Sequence, residues 1–304
     1  MSIDLRAATA FVATHARILD RRRFHLLLGD GDPDSVLAAL DAYRNLDGGF
    51  GWGLEPDLRS AESQPAAALH AFEVLSEAAP AITPRAPELC DWLHSISLPD
   101  GGLPFALPPG DRAGCAPWWS EADPTISSLQ ITAAVAAAAH RLARHNGSVA
   151  NHPWLVTATR YCLDAIRAID TAPHAYELSF ALQFLDAVIT THPEAGHLLA
   201  LLGRHIPSDG AMHVQGGTDK EMLHPLDFAP DPDRPVRELF AATVIAADVG
   251  RLDRQQQADG GWAVDWLSSS PAAALEWRGY VTVRAVAILQ RNSALNRRRD
   301  QVVT

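Results

Sequence analysis

One short pattern constrains this chain more than any other. Asp-Gly-Gly followed by an aromatic or aliphatic residue returns about every fifty residues. Asn45-Leu46-Asp47-Gly48-Gly49-Phe50-Gly51 is the first copy and Pro99-Asp100-Gly101-Gly102-Leu103 the second. Ser208-Asp209-Gly210-Ala211-Met212 is a weaker copy about twice that step further on, and Gln256-Gln257-Ala258-Asp259-Gly260-Gly261-Trp262 closes the series. The gap between them points to a copy that has decayed near residue 155. A period of this size is the signature of stacked supersecondary units, none of which buries its apolar face alone.

Helical patterns flank each turn. Ser35 to Arg44 precedes the first and Gln64 to Glu77 follows it; Pro84 to Ile96 and Thr125 to Arg144 flank the second. Trp154 to Ile169 and Tyr176 to Thr190 flank the lost copy, and Pro235 to Gln257 and Ala273 to Gln290 flank the last. Glycine supplies positive φ where a helix ends and the chain reverses, and Asp bonds nearby backbone amides in such a turn. No period-2 segment suggests a strand. The helices after the turns are the more apolar and Ala-rich, as in Ala133 to Ala139. The expectation is therefore an all-α, single-domain α/α barrel over 1–304, an inner ring of helices within an outer one. It would hold five or six helical hairpins, with Leu5 to Leu28 as the uncertain member. The Asp-, Pro- and Gly-rich stretch at 209–235 reads as a covering or functional loop.

Composition narrows the function. The 304 residues carry a net charge of −11, which disfavours nucleic acid, because phosphate binding needs a basic face. The run Arg21-Arg22-Arg23 reads as a solvated helix end. Three cysteines, Cys90, Cys115 and Cys162, are widely spaced and form neither a disulfide framework nor a zinc pattern. The first thirty residues show no signal-peptide pattern, and no apolar run is long enough to span a membrane. The expectation is a cytoplasmic protein with no membrane span, peripheral contact remaining open. Oligomeric state is open too.

Gln256-x-x-Asp259-Gly260-Gly261-Trp262 resembles the QW motif of the squalene–hopene and oxidosqualene cyclase family, and a looser form of the turn occurs in protein prenyltransferase β subunits. The resemblance covers roughly residues 35 to 290. In size the chain is similar to the stand-alone, single-domain actinobacterial barrels described as prenyltransferase- or squalene-cyclase-like. Gly53-Leu54-Glu55-Pro56-Asp57-Leu58 and Leu275-Glu276-Trp277-Arg278-Gly279 look like recurrent features of that group. The resemblance implies a barrel in which the motif's Gln packs on its Trp and ties the end of an outer helix to the next inner one. It also implies an isoprenoid as the small-molecule substrate.

Class II cyclases protonate an alkene with the middle Asp of Asp-x-Asp-Asp-Thr. The nearest segment here is Glu121-Ala122-Asp123-Pro124-Thr125. On that comparison Asp123 is the proton donor and Glu121 replaces the first acid, while Pro124 departs from the pattern. The same residues also read as a helix start, with Asp at the N-cap and Pro at N1. An N-cap favours the ionised carboxylate, the wrong state for an acid. A second group, Glu55, Asp57, Arg59, Glu276 and Arg278, should converge at the barrel mouth and could hold Mg2+ and a diphosphate, or simply cap helices and form solvated ion pairs. Trp52, Trp118, Trp119, Tyr176, Phe228 and Trp277 are the aromatic candidates for a pocket that stabilises cations, or for core packing. Two functions follow. One is a single-domain class II-like terpene cyclase acting on a prenyl chain or prenyl diphosphate. The other is a non-catalytic barrel that binds an isoprenoid or another apolar ligand.

Overall fold

The computed structural model describes residues 3–81 and 83–302. In chain order the helices are α1 (Leu5–His15), α2 (Ile18–Leu28), α3 (Pro33–Leu40), α4 (Pro65–Glu77), α5 (Arg85–Ile96), α6 (Pro117–Ser120) and α7 (Leu129–Ala143). They continue with α8 (Gly147–Ala150), α9 (Pro153–Arg167), α10 (Ala175–Val188), α11 (Ala195–Gly203), α12 (Pro225–Phe228), α13 (Ala242–Arg254) and α14 (Pro271–Val302). The only strands among the described residues are β1 (Met212–His213) and β2 (Met222–Leu223), which pair antiparallel. The protein is all-α. The stretch at 209–235, expected as a plain loop, contains this hairpin and α12.

Local chemistry sets the helix ends. Asp32 caps α3 by accepting from the amides of Asp34 and Ser35, with Pro33 at the first helical position, a donor-free residue placed where no donor is needed. The helix expected from Thr125 starts at Leu129, because Ser128 is its cap. Leu5 to Leu28 is two helices rather than one. Ala16 is extended there, and Arg17 beside it bonds Asp20 and the Leu54 carbonyl. The pattern from Pro235 also splits, into a 3-10 turn (Pro235–Leu239) and α13, with Phe240 extended between them. Residue 155 lies inside α9; the connection that lacks an Asp-Gly-Gly turn joins α9 to α10 at 168–174.

The repeated turns share one construction. Asp47, Asp100, Asp209 and Asp259 each accept a hydrogen bond from the amide two residues on, at 2.9–3.1 Å. The glycines let the next helix pass close by. A Cβ on Gly48 would lie 2.9 Å from the Glu88 carbonyl oxygen on α5, and one on Gly101 would lie 2.6 Å from Thr157 on α9. At Gly260, where φ is +93°, it would lie 2.2 Å from the carbonyl oxygen of Ala7 on α1. Each of these turns thus abuts a later helix, except the last, which abuts the first.

Packing follows the same order. Helix α4 packs on α7, α7 on α10, α10 on α12, α12 on α13 and α13 on α14; α14 packs on α1 and α2, and α2 on α4. Helices α3, α5, α9 and α11 flank this series. The run Ala133 to Ala139 on α7 is buried throughout, and side chains this small let α4, α9 and α10 all approach one helix. Two apolar clusters result. The larger runs from Leu19 to Phe240, and the smaller joins α1 to α14 through Phe11, Val12, Trp262, Val286 and Leu289. No helix among the described residues is long and apolar enough to cross a membrane.

Candidate functional site

The candidate residues from the sequence fall mostly at the starts of α4 and α14, and there the structure brings several together. Asp57 is 2 % exposed. Its Oδ1 accepts from the Ser269 amide (2.7 Å) and from the hydroxyls of Ser268 and Ser269 (2.8 Å each), while Oδ2 accepts from Trp277 Nε1 at 2.7 Å. Glu55 is equally engaged, by the Asp57 amide at 3.1 Å and by His70 Nε2 at 3.0 Å. Arg59 pairs with Glu276 at 2.7 Å. Glu55, Asp57, Arg59 and Glu276, expected at a diphosphate and metal mouth, are thus each bonded to other side chains here. No group of three or more His, Cys, Asp or Glu side chains is placed to hold a metal ion among the described residues.

Arg278 departs from the expected group. Neighbouring helical residues point about 100° apart, so Trp277 faces Asp57 while Arg278 faces the last turn. There its Nη2 donates to both oxygens of Asp259 at 2.8 Å, and its guanidinium lies 4.6 Å from the Phe11 ring centroid. Gln256 completes this seam. It accepts from the Asp4 amide (3.0 Å) and donates to the Asp4 carbonyl (2.9 Å), tying the last turn to the start of α1. Trp262 donates to the Leu252 carbonyl at 2.8 Å.

Asp123 is exposed. Its Oδ1 accepts from the Thr125 hydroxyl at 2.6 Å and the Thr125 amide at 2.8 Å. These bonds hold its pKa below the ordinary carboxylate value. It is not the cap of α7, and it is not held in the protonated state that alkene protonation requires. Glu121 is exposed beside it and makes no side-chain bond. Of the aromatic candidates, Trp52 and Trp118 are 58 % and 47 % exposed, so neither can line a dry pocket. Trp119 stacks on Phe105, with centroids 4.5 Å apart. Tyr176 donates to Glu221 at 2.9 Å, and Phe228 is fully buried against Phe240.

Sequence reasoning missed the polar network in the middle of α4. His70 lies between two carboxylates, Glu55 and, at 3.1 Å from Nδ1, Glu73. Two acceptors require both ring nitrogens to carry hydrogens. Burial works to lower the His70 pKa, but the bonds to Glu55 and Glu73 outweigh it and hold the imidazolium up to about 9. Burial in turn raises Glu73, and His70 overrides it, holding Glu73 down at about 2. Tyr280 also donates to Glu73, at 2.9 Å, and lies edge-on to His70 and Trp277. The available signal was the His70-x-x-Glu73 spacing, which puts two ionisable groups on one face of an otherwise apolar helix.

The ends of α7 and α10 differ from their starts. A groove of about 580 Å3 opens there, with Ala143, Leu155, Val156, Leu163 and Ala187 in its wall and Arg144 and Arg160 on it. Within it His140 donates from Nε2 to Thr159, whose own hydroxyl goes to the Leu155 carbonyl. Burial, aided by His192 and Arg144, pushes the His140 pKa down to about 4, so this histidine is neutral at neutral pH. Arg167 is engaged by Glu194 and Asp164. Arg144 and Arg160, both exposed, make no side-chain hydrogen bond or ion pair among the described residues. A second, smaller cavity of about 50 Å3 adjoins the groove through Arg144 and Ala187.

No protein-family model matches the chain, and neither does any curated protein.

Proposed function

We propose that the chain closes into an α/α toroid of the terpenoid-cyclase type, and that this barrel binds an isoprenoid-like amphiphile rather than cyclising one. The contact of the last turn with α1, through Gln256 and Gly260, supports closure. Six outer helices (α1, α3, α5, α9, α11, α13) would then alternate with six inner ones (α2, α4, α7, α10, α12, α14).

One observation carries the binding reading. The groove at the ends of α7 and α10 combines an apolar wall with Arg144 and Arg160, which have no partners of their own. Its volume, about 580 Å3, lies within the range of small-molecule sites. An amphiphilic anion satisfies both parts at once, with its chain on Leu155, Val156 and Leu163 and its charge at the arginines. The cyclase reading needs a protonated acid facing a dry cavity, and Asp123 is ionised, exposed and bonded to Thr125.

Calorimetric titration with farnesyl diphosphate and with farnesol tests the proposal. Both are expected to bind, and Val156→Glu is expected to abolish binding of both without unfolding the chain, since Val156 is 63 % exposed. Incubation with farnesyl diphosphate, with and without magnesium, should return the substrate unchanged. A cyclised product that disappears in Asp123→Asn would restore the cyclase reading.

A further inference from the structure

We infer that the small cavity between the last turns of α7 and α10 is a binding site for a compact oxyanion, phosphate or diphosphate in type, held by Arg141 and Arg144. The inference deepens the proposed function, since this cavity would take the head of the amphiphile whose chain lies in the groove.

The first argument is an uncompensated cation. Arg141 sits in the last turn of α7 and lines the cavity, yet among the described residues no hydrogen bond or ion pair reaches its guanidinium. A guanidinium carries five donors in a fixed fork, and Arg141, which is partly buried, leaves those donors without a protein acceptor. Burial pushes its pKa below the usual arginine value despite the nearby charges of Glu73 and Asp231. Asp186 and Asp231 line the same cavity; Glu73 and Asp186 have other hydrogen-bond partners, while Asp231 is ion-paired but its Oδ1 accepts no hydrogen bond among the described residues. Glu73 is held by His70 and Tyr280, Asp231 by Arg291 at 2.9 Å, and Asp186 by Arg234 at 2.7 Å and the Val236 amide at 3.0 Å.

The second argument is repulsion. Arg144 follows Arg141 by one helical turn, a like-charge spacing that destabilises a helix. Burial and then Arg234 push the Arg144 pKa down as well. Two unpartnered arginines on one face, with Arg234 lining the same cavity, form an arrangement that an anion relieves and that folding alone does not require. Bidentate pairing is what this side chain offers to phosphate oxygens.

The third argument is size. The cavity, at about 50 Å3, has room for about four waters at roughly 10–15 Å3 each. A tetrahedral oxyanion presents four oxygens and needs similar room. A chain attached to it would leave along Arg144 and Ala187 into the groove.

The test is thermal melting and calorimetry of the full chain with inorganic phosphate, inorganic pyrophosphate, farnesyl diphosphate and farnesol, against chloride at matched ionic strength. Pyrophosphate is expected to raise the melting temperature saturably. Arg141→Met should abolish that rise and, in the absence of anion, melt at or above the wild-type temperature, because one of two like charges a helical turn apart has been removed. Arg144→Gln, on the rim, should weaken pyrophosphate binding by about tenfold or more. Tighter binding of farnesyl diphosphate than of pyrophosphate would identify the anion as a lipid head. Equal binding would identify a free oxyanion. Binding of pyrophosphate but not farnesol would sink the amphiphile reading and leave the anion site standing. The inference is overturned by no anion-specific response in the wild type, by an unchanged response in either variant, or by an Arg141→Met protein less stable than wild type without anion.

Discussion

Two ends of the central packed helices carry the same residue types in different states. Where α4 and α14 begin, every acid has donors: Asp57 has Trp277 and two serines, Glu55 has His70, and Glu276 has Arg59. Where α7 and α10 end, Arg141 and Arg144 face a cavity without partners. A cluster of charged residues in a sequence does not distinguish these states. The matched end is a lock, because buried polar groups that are fully paired fix a unique arrangement. The unmatched end is destabilised by its own charges, and it is there that a ligand has free energy to contribute.

Breaking the matched end should have the largest effect. Asp57→Ala strands the Trp277 indole N–H and the Ser269 amide, and should destabilise the protein by about 3 kcal/mol or more in urea unfolding. A loss within error of zero would show that this end is not a lock. Gly260→Ala comes next. It combines a positive φ with a collision against Ala7, and about 2 kcal/mol or more is expected. Gly216→Ala is the control, since its φ is also positive, at +81°, but nothing lies within 4 Å; about 1 kcal/mol is expected there.

The pH dependence sharpens the same contrast. The folded-state pKa of His70 is raised to about 9, so its contribution is complete below the unfolded value near 6.5 and disappears as pH rises from there through about 9. Glu73 is depressed to about 2, so its contribution is present above the unfolded carboxylate range and fades as pH falls toward 2. Chemical denaturation at a series of pH values should show both limbs, and His70→Gln should flatten the alkaline one. The smallest effect belongs to Asp123→Asn. Melting temperature and farnesyl diphosphate binding are both expected to match wild type, and a loss of binding would place Asp123 in the site after all.

How much of this was legible depended on how local each cause is. The repeat was readable because a turn's needs are local: an Asp to bond the second amide on, and glycines where the backbone passes close to another helix. Cluster membership was partly readable, since Glu55, Asp57, Arg59, Glu276 and Trp277 do meet. Arg278 was placed wrongly because one helical step turns a side chain to another face. Asp123 was read as a helix cap or an acid, but it closes only a turn onto Thr125, and the cap of α7 is Ser128. His70 and Glu73 passed as helix interior despite their spacing, and Arg141 did so because nothing in the chain marks which helix positions border a cavity.

By itself, the sequence determined an all-helical protein, the turns that join its helices, and a run of alanines small enough to let α7 be approached from several sides. The tertiary structure alone decided that Gln256 and Gly260 meet the beginning of the chain. It also decided which charges find partners. Pairing depends on positions more than two hundred residues apart, as between Asp57 and Trp277. It is a property of packed surfaces and not of any segment, so the matched and unmatched ends become distinguishable only once the helices are in place.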